Sequence, residues 1–296
     1  MITVMGATGN TGKKIAEALL KAGEQVRALG RSESKLAELK KTGAEVLTGD
    51  AADSSFLTTA FRGADAIYTL IATDPGSPDC RAEQDRQGEA IVKAICDSGV
   101  RYVVSLSSLG ADLSEPTGLI SGLHAQEERL MKLTNTNVLL LRPGSFFENF
   151  YQALGLIKDQ GIIVDSIQPD LTVPMVATQD IADAALKALR LRDWQGIDVK
   201  ELLGPRDLSH AEATRILGER LGKPNLQYIQ SSDEEMISAL AQAGFSQSFA
   251  ELYVEMARAI NEEKLKTQHG RTPENTTQTR FEDFARDLAL AYQSWP

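Results

Sequence analysis

Near the start of the chain stands Gly6-Ala7-Thr8-Gly9-Asn10-Thr11-Gly12, with three glycines spaced GxxGxxG. Glycine permits positive φ and lets bare backbone N–H groups approach a pyrophosphate, which the N-terminus of a following helix also attracts. Gly6, Thr8, Gly9, Asn10, Thr11 and Gly12 are therefore candidate dinucleotide-binding residues. Glycines also close turns for purely structural reasons, so the setting between a strand and a helix is what favours the ligand. The run Ala28-Leu29-Gly30-Arg31-Ser32 bears on which dinucleotide. An NAD-selective site places Asp or Glu at the end of the second strand to accept from the ribose 2′-hydroxyl. No carboxylate stands here, and Arg31 offers a guanidinium that can pair with a 2′-phosphate, with Ser32 or Lys35 in support. The expectation is NADP(H) in preference to NAD(H). Asp50 could accept from the adenine amino group, the cap of the next helix being better supplied by Asp53 or Ser54.

These residues need elements to carry them, and the hydrophobic pattern supplies them. Strands are expected at Ile2–Met5, Gln25–Leu29, Glu45–Thr48, Ala66–Ala72, Arg101–Ser105 and Val138–Leu141. Between them, helices are expected at Lys13–Ala22, Ser34–Lys41, Ser54–Phe61, Glu83–Ser98 and Gly122–Leu133. Short apolar runs alternating with helices mean parallel strands buried on both faces, hence a Rossmann-type doubly wound α/β sheet. Past residue 145 the rhythm changes. Phe146–Ile157 reads as helical, followed by strands near Gly161–Val164 and Thr172–Val176. Helices follow at Gln179–Leu189, Ser209–Leu221, Asp233–Ala243 and Gln247–Glu263, with Asp180, Ser209 and Ser232 as caps. The expected organisation is a dinucleotide-binding domain over 1–145 and a smaller, helix-rich substrate region over 146–296. Thr267–Thr279 is the one linker-like stretch.

Composition narrows the partners. The chain has 296 residues, with 31 basic and 41 acidic side chains giving a net charge of −10. That balance argues against direct nucleic-acid binding, which needs clustered Lys and Arg. Two cysteines, Cys80 and Cys96, make no disulfide framework, and His124, His210 and His269 are too scattered for a metal site. No apolar run approaches the ~20 residues that span a bilayer, and the opening on Met1-Ile2-Thr3-Val4 shows no basic n-region and apolar h-region. A reduced, cytoplasmic protein without a membrane or metal partner is expected.

Several runs together resemble the short-chain dehydrogenase/reductase superfamily, and most closely its atypical NmrA-like branch, which includes NADPH-dependent quinone oxidoreductases. They are the Gly6–Gly12 loop, Gly30-Arg31, Gly49-Asp50, Ser105-Leu106-Ser107-Ser108, His124 to Glu128, Arg142 to Asn149, Asp180 to Asp183, Leu203-Gly204-Pro205 and Gly270-Arg271-Thr272-Pro273. Typical members of the superfamily use Tyr-xxx-Lys to protonate a carbonyl. None of the six tyrosines here has Lys four residues on. Where that motif would fall stand His124 and Glu128, which share a helix face at i and i+4. His124 could donate a proton or hydrogen bond to substrate, with Glu128 fixing its tautomer; a capping or surface ion pair is the other reading of the two. The resemblance implies that Ser107 hydrogen-bonds substrate or nicotinamide, although a turn-forming serine fits as well. It also implies that Pro143 and Phe146 lie near the nicotinamide ring. Phe146 and Phe147 could cover an aromatic substrate or equally fill core, with Asn149 a further candidate of the same kind.

Two functions fit this reading. One is an NADPH-dependent reductase transferring hydride to a small quinone-like or other electron-poor acceptor, for which loss of the Tyr/Lys acid is survivable. The other is an NADP(H)-binding redox sensor that regulates a partner protein without catalysis. The expected partners are a small-molecule substrate, a second copy in a homodimer or, for the sensor, a regulatory protein.

Overall fold

The alternation read from the apolar runs is the alternation observed. The computed structural model describes residues 1–294. The first half runs β1 (Ile2–Val4), α1 (Gly12–Lys21), β2 (Val26–Gly30), α2 (Glu33–Lys41), β3 (Glu45–Thr48), α3 (Ser54–Phe61), β4 (Ala66–Thr69), α4 (Cys80–Ser98), β5 (Tyr102–Leu106), α5 (Leu119–Leu130) and β6 (Asn137–Pro143). The second half continues with β7 (Ser145–Phe146), a 3-10 helix (Phe147–Ala153), α6 (Leu154–Gln160), β8 (Ile162–Asp165), β9 (Thr172–Val176), α7 (Thr178–Leu191) and β10 (Ile197–Leu202). It closes with β11 (Asp207–Ser209), α8 (His210–Leu221), β12 (Gln227–Gln230), α9 (Asp233–Gln242), α10 (Gln247–Asn261) and α11 (Phe281–Gln293).

Seven strands form one parallel sheet in the order β10-β6-β5-β4-β1-β2-β3. Successive strand residues feed opposite layers. Ala66, Tyr68, Val104, Leu139 and Leu141 join Ile15, Leu19, Leu36, Ile181 and Ala185 on one face. Ile67, Val103, Val138 and Leu140 join Leu57, Phe61, Ile91, Ile95 and Leu130 on the other. This is the doubly wound sheet expected of strands buried on both sides, and its order reverses between β1 and β4. At such a switch point the loops after neighbouring strands diverge and leave a crevice at the carboxyl edge. A second core lies outside the sheet, built from Phe147, Phe150, Leu154, Ile163, Met175, Leu208, Leu217, Phe281 and Phe284.

Four expectations are corrected. Phe146–Ile157 is not one helix, because Ser145 and Phe146 pair with Met175 and Val176 as a strand and a 3-10 turn follows before α6 begins. Asp180 does not cap α7, which starts at Thr178; its carboxylate accepts from the Thr279 amide and hydroxyl instead. The stretch 267–279 is pinned rather than free, through Gln268 to Glu201, Leu203 to Asn275, and Arg271 to Gly204 and Asp207. The layers also do not divide at residue 145. From beyond it, β10 extends the parallel sheet and α7 packs on α1, burying Ile181, Ala185 and Leu189 in the sheet's own core. Ser209 and Ser232 cap α8 and α9 as expected.

Candidate functional site

The glycine loop fills the turn from β1 to α1, and its three glycines meet different demands. Gly6 has φ +60, in the left-handed region, and a side chain there would strike Leu70. At Gly12 a Cβ would be driven into backbone, 2.7 Å from the Met5 carbonyl oxygen, so the start of α1 can lie flat on the loop only with glycine. Gly9 differs. It has no positive φ, and a Cβ there would meet only the Gly6 oxygen, at 3.4 Å. Nothing within the fold requires glycine at this position, which suits a backbone surface left bare for a ligand. Thr8, Gly9 and Asn10 are exposed, and the amides of Thr8, Asn10 and Thr11 have no acceptor among the described residues. Open amides at a helix N-terminus are what a pyrophosphate needs. Thr11 is buried, its hydroxyl accepting at 2.9 Å from Tyr68, whose own proton is held tightly by burial.

Arg31 lies just past β2 at the same edge of the sheet, and its side chain is 76% exposed. Asp50 follows β3, and its Oδ1 accepts from the Ala52 amide at 2.9 Å, an arrangement that shapes the turn. Asp53 caps α3 by accepting from Ser55 and Phe56. Asp50 is exposed at the end of the edge strand, with one oxygen engaged by its own turn.

Ser107 follows β5 and is buried. Its hydroxyl donates to Glu127 Oε1 at 2.5 Å. Glu127 in turn takes Arg142 from β6 in a two-pronged grip, Nε at 2.9 Å and Nη2 at 2.5 Å, while Asp112 stands 3.6 Å from the remaining nitrogen. Burial works against the Arg142 charge, but the hydrogen bonds and charge of Glu127, helped by Asp112 and Glu201, push its pKa up. The carboxylate that matters on α5 is thus Glu127.

Glu128, one residue on, is exposed and does not bond His124. The expected pair is not formed, because His124 turns its Nδ1 to the Ala111 carbonyl at 2.8 Å. A neutral imidazole so placed carries its proton on Nδ1 and offers Nε2 as an acceptor; only the imidazolium donates from both nitrogens. His124 stands three residues before Glu127, about 4.5 Å nearer the helix N-terminus. That end of α5 faces the carboxyl edge of the sheet, so the structure brings His124 and Ser107 to the edge that carries the glycine loop.

Pro143 ends β6, buried, with its carbonyl accepting from Leu109. Phe146 is half-buried against the core of the sheet. Phe147 is 1% exposed and makes edge-on contact with Phe281 at 5.0 Å between ring centres, so it is core of the second lobe and not a cover for substrate. Asn149 is exposed on the 3-10 helix.

A family model describing the NmrA-like family matches residues 1–285. The chain belongs to the NmrA-like family. A (4-alkanoyl-5-oxo-2,5-dihydrofuran-3-yl)methyl phosphate reductase from Streptomyces griseus is 30% identical over 224 residues, which is 76% of this chain and 75% of the relative. Among solved structures, an NADPH-dependent quinone oxidoreductase from Escherichia coli, in complex with NADPH, has a TM-score of 0.81 at 22% identity, covering 97% of this chain and 99% of its own. Triphenylmethane reductase from Citrobacter sp. has a TM-score of 0.80 at 25% identity, covering 98% and 99%. The likeness takes in the second lobe as well as the sheet.

Sequence reasoning missed several residues of this NmrA-like chain. Arg142 is one, since a lone arginine within the apolar run of β6 has to be paired once buried. Glu148 is another. Its buried carboxylate accepts from the Thr178 amide and hydroxyl and from Lys14 Nζ at 2.9 Å, so it caps α7 and ties α1 to the 3-10 helix. Its partners lie 30 and 134 residues away, which local spacing cannot reveal.

Proposed function

We propose that the protein is an NADPH-dependent reductase that delivers hydride to a small quinone-like or other electron-poor acceptor. The observation that carries this is the gathering, along one edge of the sheet, of a bare-amide glycine loop, an exposed guanidinium after β2, and the separately held Ser107 and His124. The loop amides suit the pyrophosphate. Arg31 suits the 2′-phosphate, since the tip of β2 has no carboxylate of its own to receive a 2′-hydroxyl. The three relatives named above, two reductases and a quinone oxidoreductase, support this reading.

When bound, the nicotinamide supplies the hydride, and a quinone taking it up with one proton becomes a hydroquinone. Ser107, its proton committed to Glu127, presents oxygen lone pairs. His124, anchored through Nδ1, supplies a donor from Nε2 as the imidazolium and an acceptor when neutral. Neither replaces the Tyr/Lys acid in full, which favours acceptors that need little acid assistance.

The test is NADPH oxidation by the purified protein across a panel of quinones, with NADPH binding measured separately. Turnover that falls at least tenfold in His124→Ala, with NADPH binding retained, supports the reductase and places its site. Tight NADPH binding without turnover on any acceptor would overturn it in favour of a sensor that acts through a partner protein.

A further inference from the structure

Arg31 is not left alone at the edge of the sheet. Asp74 Oδ2 stands 3.8 Å from its guanidinium. Asp74 comes from the segment between β4 and α4, and β4 is separated from β2 by β1. To reach Arg31 that segment crosses the carboxyl end of β1, over two strand spacings or about 10 Å, alongside the glycine loop. The crossing is built rather than slack. Asp74 Oδ1 accepts from the Gly76 amide at 3.0 Å and its carbonyl from Ser77 at 3.0 Å. The segment is held on α10 by Ser246 donating to the Pro75 carbonyl at 2.8 Å and by Cys80 donating from its amide to the Ser248 hydroxyl at 3.1 Å. The backbone at Asp74 is thereby fixed, with one carboxylate oxygen shaping the turn and the other turned to Arg31.

We propose that Asp74 is a specificity-determining residue that tempers the preference for a 2′-phosphorylated dinucleotide by competing with the phosphate for Arg31. This rests on the reading of Arg31 as the phosphate's partner. A phosphate carrying close to two negative charges displaces a single carboxylate from a guanidinium, but it must then sit beside the carboxylate it displaced. A 2′-hydroxyl brings no charge, so the Arg31–Asp74 pair survives beside it, and Asp74 can accept its hydrogen bond as a carboxylate after β2 would. One acidic residue thus opposes NADPH and helps NADH, at a position that the β2–α2 turn does not disclose.

The experiment is direct titration of NADPH and NADH into the full-length protein, its Arg31→Ala, Asp74→Asn and double variants, at low and high salt. Asn keeps an acceptor oxygen for Gly76 while removing the charge and replacing the oxygen that faces Arg31 by an NH2 donor. The thermal midpoint without dinucleotide checks that each variant is folded. Asp74→Asn is expected to tighten NADPH about three- to fivefold at low salt, the size of one exposed charge contact, and to leave NADH unchanged or weaker. The gain should shrink at high salt and vanish in the Arg31→Ala background. An unchanged NADPH affinity, or equal tightening of both dinucleotides, overturns the proposal. If Arg31→Ala weakens NADPH while Asp74→Asn does not strengthen it, only the competition fails. If Arg31→Ala leaves NADPH affinity intact, the assignment of Arg31 fails and the competition falls with it.

Discussion

At the scale of single residues, two neighbouring glutamates on α5 meet opposite fates. Glu127 and Glu128 differ by 100° around the helix, and that rotation puts one against Arg142 and Ser107 and the other in water. Glu127→Gln removes the two-pronged counter-charge of a buried guanidinium, leaving Asp112 at 3.6 Å as the nearest carboxylate, and about 3–5 kcal/mol of stability should go with it. Glu128→Gln should change stability by no more than about 0.5 kcal/mol. Denaturant unfolding of the two variants checks this, and equal losses would mean that the buried pair contributes nothing specific. Of the candidate residues, the glycine loop and Arg31 could be picked out because a glycine-rich turn and the end of a strand are read over a few consecutive residues. Glu127 was not, since which of two adjacent carboxylates is buried depends on how α5 rotates against β5 and β6.

At the scale of elements, α4 and α5 pack through a reciprocal arrangement of glycine and glutamine. The Gln84 amide of α4 lies over Gly122 of α5, and the Gln126 amide of α5 lies over Gly88 of α4. Gln84 cannot swing aside freely, since its Nε2 donates to Thr73 at 2.9 Å and to the Leu119 carbonyl at 3.1 Å. Gly122→Ala therefore forces the helices apart and should cost about 1–3 kcal/mol, even though alanine favours a helix. A Gly122→Ala protein as stable as the parent in a thermal melt would mean that the helices separate without loss. The ends of the C-terminal helices offer a milder comparison. Ser232 and Glu235 form a reciprocal capping box on α9, and Ser232→Ala should cost about 1 kcal/mol in the same melt. Both Ser232 and Ser209 were readable from the chain, because a cap needs only a short polar side chain at the right offset. Asp180 met the same pattern and failed, because Glu148 reaches α7 from another element.

At the scale of the whole molecule, the second lobe carries a pH dependence of its own. His210 opens α8 with its ring between Phe150 and Tyr228, centroids 5.9 and 5.5 Å away, and its Nδ1 has no hydrogen-bond partner among the described residues. Burial lowers its pKa below the ordinary 6.5, and the nearby Asp165 only partly offsets this. As pH falls, the unfolded chain therefore takes up this proton before the folded one does. The contribution of a neutral His210 is complete above about pH 6.5 and is lost progressively below it. Melting curves from pH 8 to 5 should show this acid-side decline, and His210→Phe should flatten it while keeping a ring in place. Identical acid limbs in parent and variant would show that His210 titrates alike in both states.

The alternation of apolar runs, the turn chemistry and the residue types at the ends of β1 and β2 determined the sheet, its doubly wound class and the dinucleotide loop without reference to anything distant. These are local properties: a strand's period, a glycine's φ and a cap's oxygen act over a few residues. Past residue 145 the helices α7 to α10 and two of their caps were still local matters, but how that half joins the sheet was decided by tertiary structure. β10 returns to the parallel sheet because the edge of β6 has unpaired backbone groups to satisfy, and Glu148 finds Lys14 because α1 and α7 share one face of that sheet. Asp74 reaches Arg31 for the same kind of reason, since strand order, not sequence distance, puts the loop after β4 within reach of the tip of β2.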